Sequence, residues 1–481
     1  MRHFSLPLFL LAVLFQVETA RSTEPSATCK LKLVHLELWP LGKPWPEDEQ
    51  FVRHVRPQSF RTTVSNKVVD RDSQEAEKGF HAVVRKEPKE YQAEYPLRAV
   101  ATFSGKKHAF VLDKQSKKSP GYDRLYFDRS GNGDLTHDAP IDVPKDAKTW
   151  ESVPLGKRLV SSYQFPRVDF RIHAEGSEWD YSVIAASQTI THDNNLSVSA
   201  YFVPAAYRQG EIMLQGSKHK IILVDFRTSG RFDVPVSFAK DGTGVDGFFG
   251  QYGTEILFDH EIQIDKHLGY SYISEHRQFL AKMNALGGRF YRIKITPGGD
   301  ELTFTPVVAP LGKITMPHTP CNVWLINEQG LLALDLPNAT PVDIPAGKWR
   351  LLYYTLWRFD GQGGKAAQAG AMNKSGADAA APKSDGSKSP KIIYTDAYGD
   401  CGCEPVTVVA NQATIMKIGP PYMPTLKAER KGKVAMLALE IRGIGQEKIY
   451  PRINGISQSK QKLRITDPQG KVVEQGNFEY G

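Results

Sequence analysis

The chain has 481 residues and a mass of 53.7 kDa, too long for one hydrophobic core and sized for about three domains of roughly 150 residues each. Its 41% hydrophobic and 24% charged residues, with 40 Gly and 31 Pro, exclude global disorder, collagen and a multi-span membrane protein. Lys and Arg number 61 against 53 Asp and Glu, a net charge of +8, but without the dense basic clusters of a nucleic-acid binder.

At the N-terminus Arg2 and His3 precede an apolar run from Phe4 to Phe15, followed by small and polar residues around Ala20 and Ser22. This order predicts a secretory signal peptide over residues 1–22, cleaved between Ala20 and Ala27. The run is shorter than the roughly 20 residues that span a bilayer. No later stretch offers 18 consecutive apolar residues, so the mature chain is expected to lack a membrane span and to be extracytoplasmic, periplasmic or secreted.

From residue 30 onward the apolar residues alternate with period 2 between Gly, Pro, Asn and Asp, the pattern of strands. Residues 30–310 are expected to form a multi-stranded β-region. Within it, apolar strands end repeatedly in an aspartate: His108 to Asp113, Leu125 to Asp128, Lys220 to Asp225 and Glu261 to Asp265. Irregular spacing argues against a solenoid. The pairs Lys107-His108 and Lys218-His219, each ahead of such a strand, point to an internal duplication. Phe279, Leu280, Met283 and Leu286 recur at spacings of three and four, predicting a helix over 275–286 that covers a sheet edge. Tyr291, Ile293 and Ile295, then Pro297-Gly298-Gly299-Asp300, then Leu302 and Phe304 predict a hairpin with one apolar face.

Residues 311–419 are expected to form a β-sandwich module, with strands entered at Val342 and continuing to Trp357. Residues 361–391 interrupt it with Gly, Ala, Ser, Lys and Asp, which cannot bury enough apolar surface to order a chain, so a disordered insertion is expected. After Gly419-Pro420-Pro421, residues 420–481 are expected to form a second small sandwich. Its hairpin runs through Leu463 and Ile465, turns at Asp467-Pro468-Gln469-Gly470 with the chemistry of a type I turn, and returns through Val472 and Val473. The expected fold is therefore mainly β with few helices, an N-terminal β-region followed by two immunoglobulin-like modules. Exposed aromatics on the terminal modules are candidates for contact with a cell-surface glycan or protein.

The segment Asp128-Arg129-Ser130-Gly131-Asn132-Gly133-Asp134-Leu135-Thr136-His137-Asp138 carries the most specific chemistry. Calcium takes six to eight hard oxygen ligands at about 2.3–2.6 Å, and a tight loop supplies them when oxygen side chains stand at positions 1, 3, 5 and 9. Asp128, Ser130, Asn132 and Thr136 occupy those positions. Gly133 stands at position 6, where the turn requires a positive φ, and Asp134 at position 7 would give its main-chain carbonyl. Position 12 is Ala139 rather than the bidentate Glu, and Pro140 follows, so Asp138 is the residue left to close the loop. A strand, Asp123 to Phe127, enters where an EF-hand has a helix.

These residues resemble the calcium loops of dockerin-like and other non-helical relatives of the EF-hand. The segment also looks like the loops of a class of uncharacterised bacterial secreted β-proteins that carry strand-Asp-x-Asn-Gly-Asp-Gly-Asp-Leu-Thr. The resemblance implies calcium binding and no reaction. A loop with few anionic ligands is expected to bind with the dissociation constant of extracellular modules, about 10⁻⁴ to 10⁻³ M.

Asp225-Phe226-Arg227-Thr228-Ser229-Gly230-Arg231-Phe232-Asp233 repeats the skeleton, with Asp225, Ser229 and Asp233 as its weaker ligand set. Arg227 at position 3 would repel a divalent ion and is expected to bond the two carboxylates itself. Four cysteines, Cys29, Cys321, Cys401 and Cys403, allow three disulfide pairings in an oxidising compartment, with Cys321, Cys401 and Cys403 the foremost candidates for a bridge. The cluster His260, Glu261, Asp265 and His267 reads as a polar strand face. No nucleophile elbow, His-Glu-x-x-His, phosphate loop or dinucleotide fingerprint is present. Two catalytic alternatives stand beside a calcium-binding structural or binding protein. One is a glycan-directed hydrolase using Asp113, Asp123 or Asp265, and the other a thiol oxidoreductase using Cys401 and Cys403.

Overall fold

The computed structural model describes residues 25–36, 55–144, 158–236, 253–259, 277–317, 321–328, 330–336, 340–360, 391–398, 403–432, 434–453, 456–457 and 461–478. The expected signal peptide, the insertion expected over 361–391 apart from its last residue Lys391, the cluster from His260 to His267, and Cys401 lie outside these residues. The fold is mainly β, in several antiparallel sheets, with a single α-helix, Arg71–His81, among the described residues. None of the described helical structure is long and apolar enough to cross a membrane.

Many strands are joined by tight two-residue turns. Ser104-Gly105, Glu175-Gly176 and Gln215-Gly216 all have positive φ at both residues, near 51–54° and then 75–77°, and connect Phe103 to Lys106, Ala174 to Ser177 and Leu214 to Ser217. This geometry matches the right-handed twist of the flanking strands. The expected hairpin at 291–304 is present, with Ile293 opposite Phe304 and Ile295 opposite Leu302. So is the terminal one, where Gly470 donates its amide to the Asp467 carbonyl at 2.9 Å across the turn.

The four-stranded sheet of Leu97–Phe103, Lys106–Asp113, Arg124–Phe127 and Ile141–Asp142 carries the first acidic loop, and the five-stranded sheet containing Ser217–Asp225 carries the second. One hydrophobic core joins them, with Phe103, Phe110 and Phe127 from the first, Phe170 and Tyr181 from a third sheet, and Ile221 and Leu223 from the second.

One expectation is corrected. Residues 277–286 are not helical. Arg277–Phe279 and Asn284–Leu286 are strands, and the bend between them is tied by Asn284, whose Nδ2 donates to the Phe279 carbonyl at 2.8 Å and whose Oδ1 accepts from the Ala281 amide at 3.1 Å. All of this stretch but Lys282 is buried, whereas an edge-covering helix would leave one side in water. The true helix is Arg71–His81, where Asp70 caps the N-terminus by accepting the Ser73 amide at 2.7 Å. It buries only Ser73 and Phe80, so no apolar period marks it.

Strands from before and after residue 419 share one sheet. A nine-stranded sheet runs through Cys321–Asn327, Gly347–Asp360 and Lys391–Tyr398 and continues into Lys448–Ile453, Val434–Arg442 and Met423–Lys431. Lys391–Tyr398 would otherwise present an open edge, and the later strands satisfy it. Only Lys462–Thr466 and Val472–Asn477 form a sheet of their own. Across residue 310 the core is also shared, since Met283, Ala285 and Phe290 pack with Val323, Leu325 and Trp349.

Candidate functional site

Three of the strand-ending aspartates can be located, and all three carboxylates are buried and bonded to main-chain amides. Asp113 accepts from Ala93 at 2.7 Å and Gln92 at 3.1 Å. Asp128 accepts from Gly133 at 2.7 Å and Asn132 at 3.0 Å, and Asp225 accepts from Gly230 at 2.7 Å. A buried carboxylate is costly unless it is hydrogen-bonded, and here each strand delivers it to the amides of a turn.

The loops at Asp128 and Asp225 share one backbone. Position 4 is left-handed in both, at Gly131 (φ 64°) and Thr228 (φ 56°), as is position 6, at Gly133 (φ 79°) and Gly230 (φ 82°). In both, the position 4 amide donates to the carbonyl of the aspartate at 3.3 Å.

Their side chains differ. In the first loop the Ser130 hydroxyl donates to Asp128 Oδ1 at 3.2 Å, and Asp138 folds back so that its Oδ2 accepts the Arg129 amide at 3.1 Å. Asp128, Ser130 and Asp138 are thereby drawn to the head of the loop. A separation of 3.2 Å between Asp128 and Ser130 suits two neighbouring ligands of one cation bound at about 2.3–2.6 Å. The remaining candidates form a local chain. Asn132 Oδ1 accepts the Asp134 amide at 2.8 Å, and Asp134 Oδ1 accepts the Thr136 hydroxyl at 2.6 Å and the Thr136 amide at 2.8 Å. Those Thr136 donors hold the Asp134 carboxyl below the usual carboxylate range. Two lysines that sequence reasoning missed flank the loop: Lys106 Nζ donates to the Ser130 carbonyl at 2.7 Å, and Lys86 Nζ lies 3.4 Å from Asp134 Oδ2.

In the second loop the Tyr181 hydroxyl donates to Asp225 Oδ2 at 2.8 Å and the Ser229 hydroxyl to Oδ1 at 3.0 Å. Burial nevertheless raises the Asp225 carboxyl above its usual value. Asp233 is forked by Arg231, at 2.8 and 2.7 Å, and Arg231 also pairs with Glu175. The expectation that Arg227 bonds both carboxylates is corrected. Arg227 is exposed, because position 3 of this turn points to solvent, and the work is divided between Tyr181 and Arg231.

His108 and Tyr181 connect the two loops through a buried aromatic cluster. His108 Nδ1 lies 2.9 Å from the Asp128 carbonyl. Its ring stacks on Phe127 at 5.8 Å and meets Phe103 and Phe170 at 5.6 and 5.0 Å. Tyr181 contacts Phe103 and Phe170 in turn, both at 5.8 Å. Burial pushes the His108 pKa below 6.5, which favours the neutral ring with its proton on Nδ1. The matching Lys218-His219 serves a different aspartate, with His219 Nδ1 2.5 Å from Asp259 Oδ2.

The other sequence candidates are dispersed. Asp123 accepts the Gln115 amide at 2.6 Å and the Ser119 hydroxyl at 2.9 Å and so pins a local turn, while Asp113 holds the segment at Gln92 and Ala93. Asp265 lies outside the described residues. Cys321 and Cys403 are buried in the same core, while Cys29 is a buried free thiol pushed up to about 11 by burial and by Glu301. A Ser-His-Asp group that the sequence did not flag gathers Ser182, His35 and Asp169, with Ser182 Oγ 2.6 Å from Asp169 Oδ1 and 3.1 Å from His35 Nδ1. A nucleophile needs a base oriented by an acid. Here the serine hydroxyl donates its hydrogen bond to the carboxylate itself, and Arg167 already grips that carboxylate.

Among the described residues, no three His, Cys, Asp or Glu side chains gather around a common point. No family of known proteins, no curated protein and no solved structure matches the chain.

Proposed function

We propose that this is an extracytoplasmic calcium-binding β-protein with structural or binding work, whose ion sits in the loop 128–138. The observation that carries this function is the return of Asp138 to the start of the loop, where its Oδ2 accepts the amide of Arg129, the residue between Asp128 and Ser130. It brings a second anionic group to the site in the absence of a position 12 Glu. The main-chain carbonyl of Asp134 and the side chains of Asn132 and Thr136 complete an all-oxygen donor set, the kind calcium prefers. Bound there, the ion would supply charge neutralisation and cross-linking of the loop. Lys86 and Lys106 oppose a divalent cation, which supports weak binding in the range of extracellular modules, about 10⁻⁴ to 10⁻³ M.

A thermal melt of the mature chain with calcium, magnesium or chelator tests the proposal. At 100 times its dissociation constant, calcium adds about 2.7 kcal/mol of stability, and magnesium adds little because it demands stricter octahedral geometry. Asp128→Ala lowers stability even with chelator, since it strips two amides of their acceptor, so the quantity to read is the calcium increment. Asp138→Asn removes that increment while keeping an oxygen for the Arg129 amide. Equal melting in calcium and chelator would reject the site.

A further inference from the structure

Resting on the calcium assignment above, we infer that the loop at Asp128 is a clamp for the one described helix, so that ion binding controls how firmly Arg71–His81 is seated on the sheet. The helix buries a single apolar side chain, Phe80. Its remaining attachments near that end are polar and partly exposed: Arg98 bonds Glu77 at 2.7 Å, and His81 lies 3.6 Å from Glu87. Such an element is expected to open locally at low cost.

The chain leaving the helix is bound instead to the loop. Arg85 and Lys86 donate their amides to the Gly133 carbonyl at 2.7 and 3.2 Å, and Leu135 returns its amide to the Lys86 carbonyl at 3.0 Å. Gly133 approaches so closely that a Cβ there would stand 2.5 Å from the Val83 carbonyl. Leu135, 1% exposed, packs with Phe80, Ala109 and Val111 in one cluster. The groups that grip residues 83–86 thus lie at 133 and 135, strung between the candidate ligands Asn132, Asp134 and Thr136. An ion that fixes those ligands fixes the grip. The same helix supplies Ser73 and Glu77 to a polar cleft shared with Thr62, Glu94, Tyr95 and Arg98, so its seating decides whether that cleft has a wall.

Hydrogen exchange on the mature chain, in calcium and in chelator, tests the coupling beside a calorimetric calcium titration. With calcium at 100 times its dissociation constant, any opening that must release the loop is suppressed by about 100-fold. Amides of residues 80–86 and 133–135 should slow accordingly, and those of the hairpin 462–477 should not change. Leu135→Ala should still take up calcium but lose the calcium-dependent slowing at 80–86. Calcium uptake without slowing at 80–86 overturns the clamp and leaves the ion site standing. A flat titration overturns both.

Discussion

Tyr181 donates its hydroxyl proton to Oδ2 of Asp225 across 2.8 Å, so the second loop closes on a phenol from another strand. At the equivalent Asp128, the donors among the described residues all come from the loop itself: Ser130, Asn132 and Gly133. Two loops of one backbone thus differ in what satisfies their carboxylates. Tyr181, with Arg231 on Asp233, performs in the second loop the neutralisation that a cation would perform in the first.

The expected calcium stoichiometry is therefore one per chain. Calorimetry should find the same heat and affinity in Tyr181→Phe and in Asp225→Asn as in the unaltered chain, and no heat in Asp138→Asn. A second binding event, or loss of binding in Asp225→Asn with the fold intact, would reverse the assignment of the two loops.

Gly133 and Gly105 have nearly the same φ, 79° and 77°, but opposite surroundings. A Cβ at Gly105 meets nothing within 4 Å, while one at Gly133 meets the Val83 carbonyl at 2.5 Å. Gly105→Ala should cost about 1–2 kcal/mol for left-handed backbone alone. Gly133→Ala adds a steric conflict and should cost about 3 kcal/mol or more. Denaturant unfolding of the two variants separates the terms, and equal losses would mean that the loop does not hold residue 83 closely.

His108 makes folding sensitive to acid. Burial lowers its folded pKa below 6.5, so as pH falls through 6.5 the unfolded chain takes up a proton that the folded one refuses. The stability present above 6.5 is lost on moving down towards the folded value, at up to about 1.4 kcal/mol per pH unit within that window. In urea unfolding from pH 7.5 to 5.5, His108→Phe should flatten this contribution to the slope, although it also removes the bond to the Asp128 carbonyl and is less stable at pH 7.5. An unchanged slope would assign the acid sensitivity to other groups.

Cys29 should be chemically silent in the folded protein. Its thiol is buried and pushed up to about 11, and the thiolate is the reactive form. At pH 8 a thiol-specific reagent should label it only after denaturation, as mapped by peptide mass spectrometry. Labelling at native rates would mean that its pairing segment, Ala27–Lys30 on Glu301–Pro306, opens readily.

The loop and both foreseen hairpins were legible because each rests on local chemistry: an aspartate ahead of spaced oxygens, glycines where φ is positive, and Pro and Gly at the corners of a turn. The hairpins at Ser104-Gly105 and Gln215-Gly216 were harder to see, because their first turn residue is not the Asn or Asp that marks such turns. The helix was hidden by its near-total exposure, although Asp70 with Asp72 in the first turn and Lys78 with His81 in the last form the polar signature of its ends.

Sequence by itself determined a β-rich chain and the tight acidic turn at 128–138, since alternation and turn composition act over a few residues. Only the tertiary structure decided that residues 277–286 bend as buried strands, that the strands after 419 extend an existing sheet, and that Tyr181 and Arg231 close the second loop. Each of these depends on which distant edge, donor or apolar face reaches the segment first. That contest is settled by burial and hydrogen-bond satisfaction between parts of the chain tens to hundreds of residues apart, which no local pattern records.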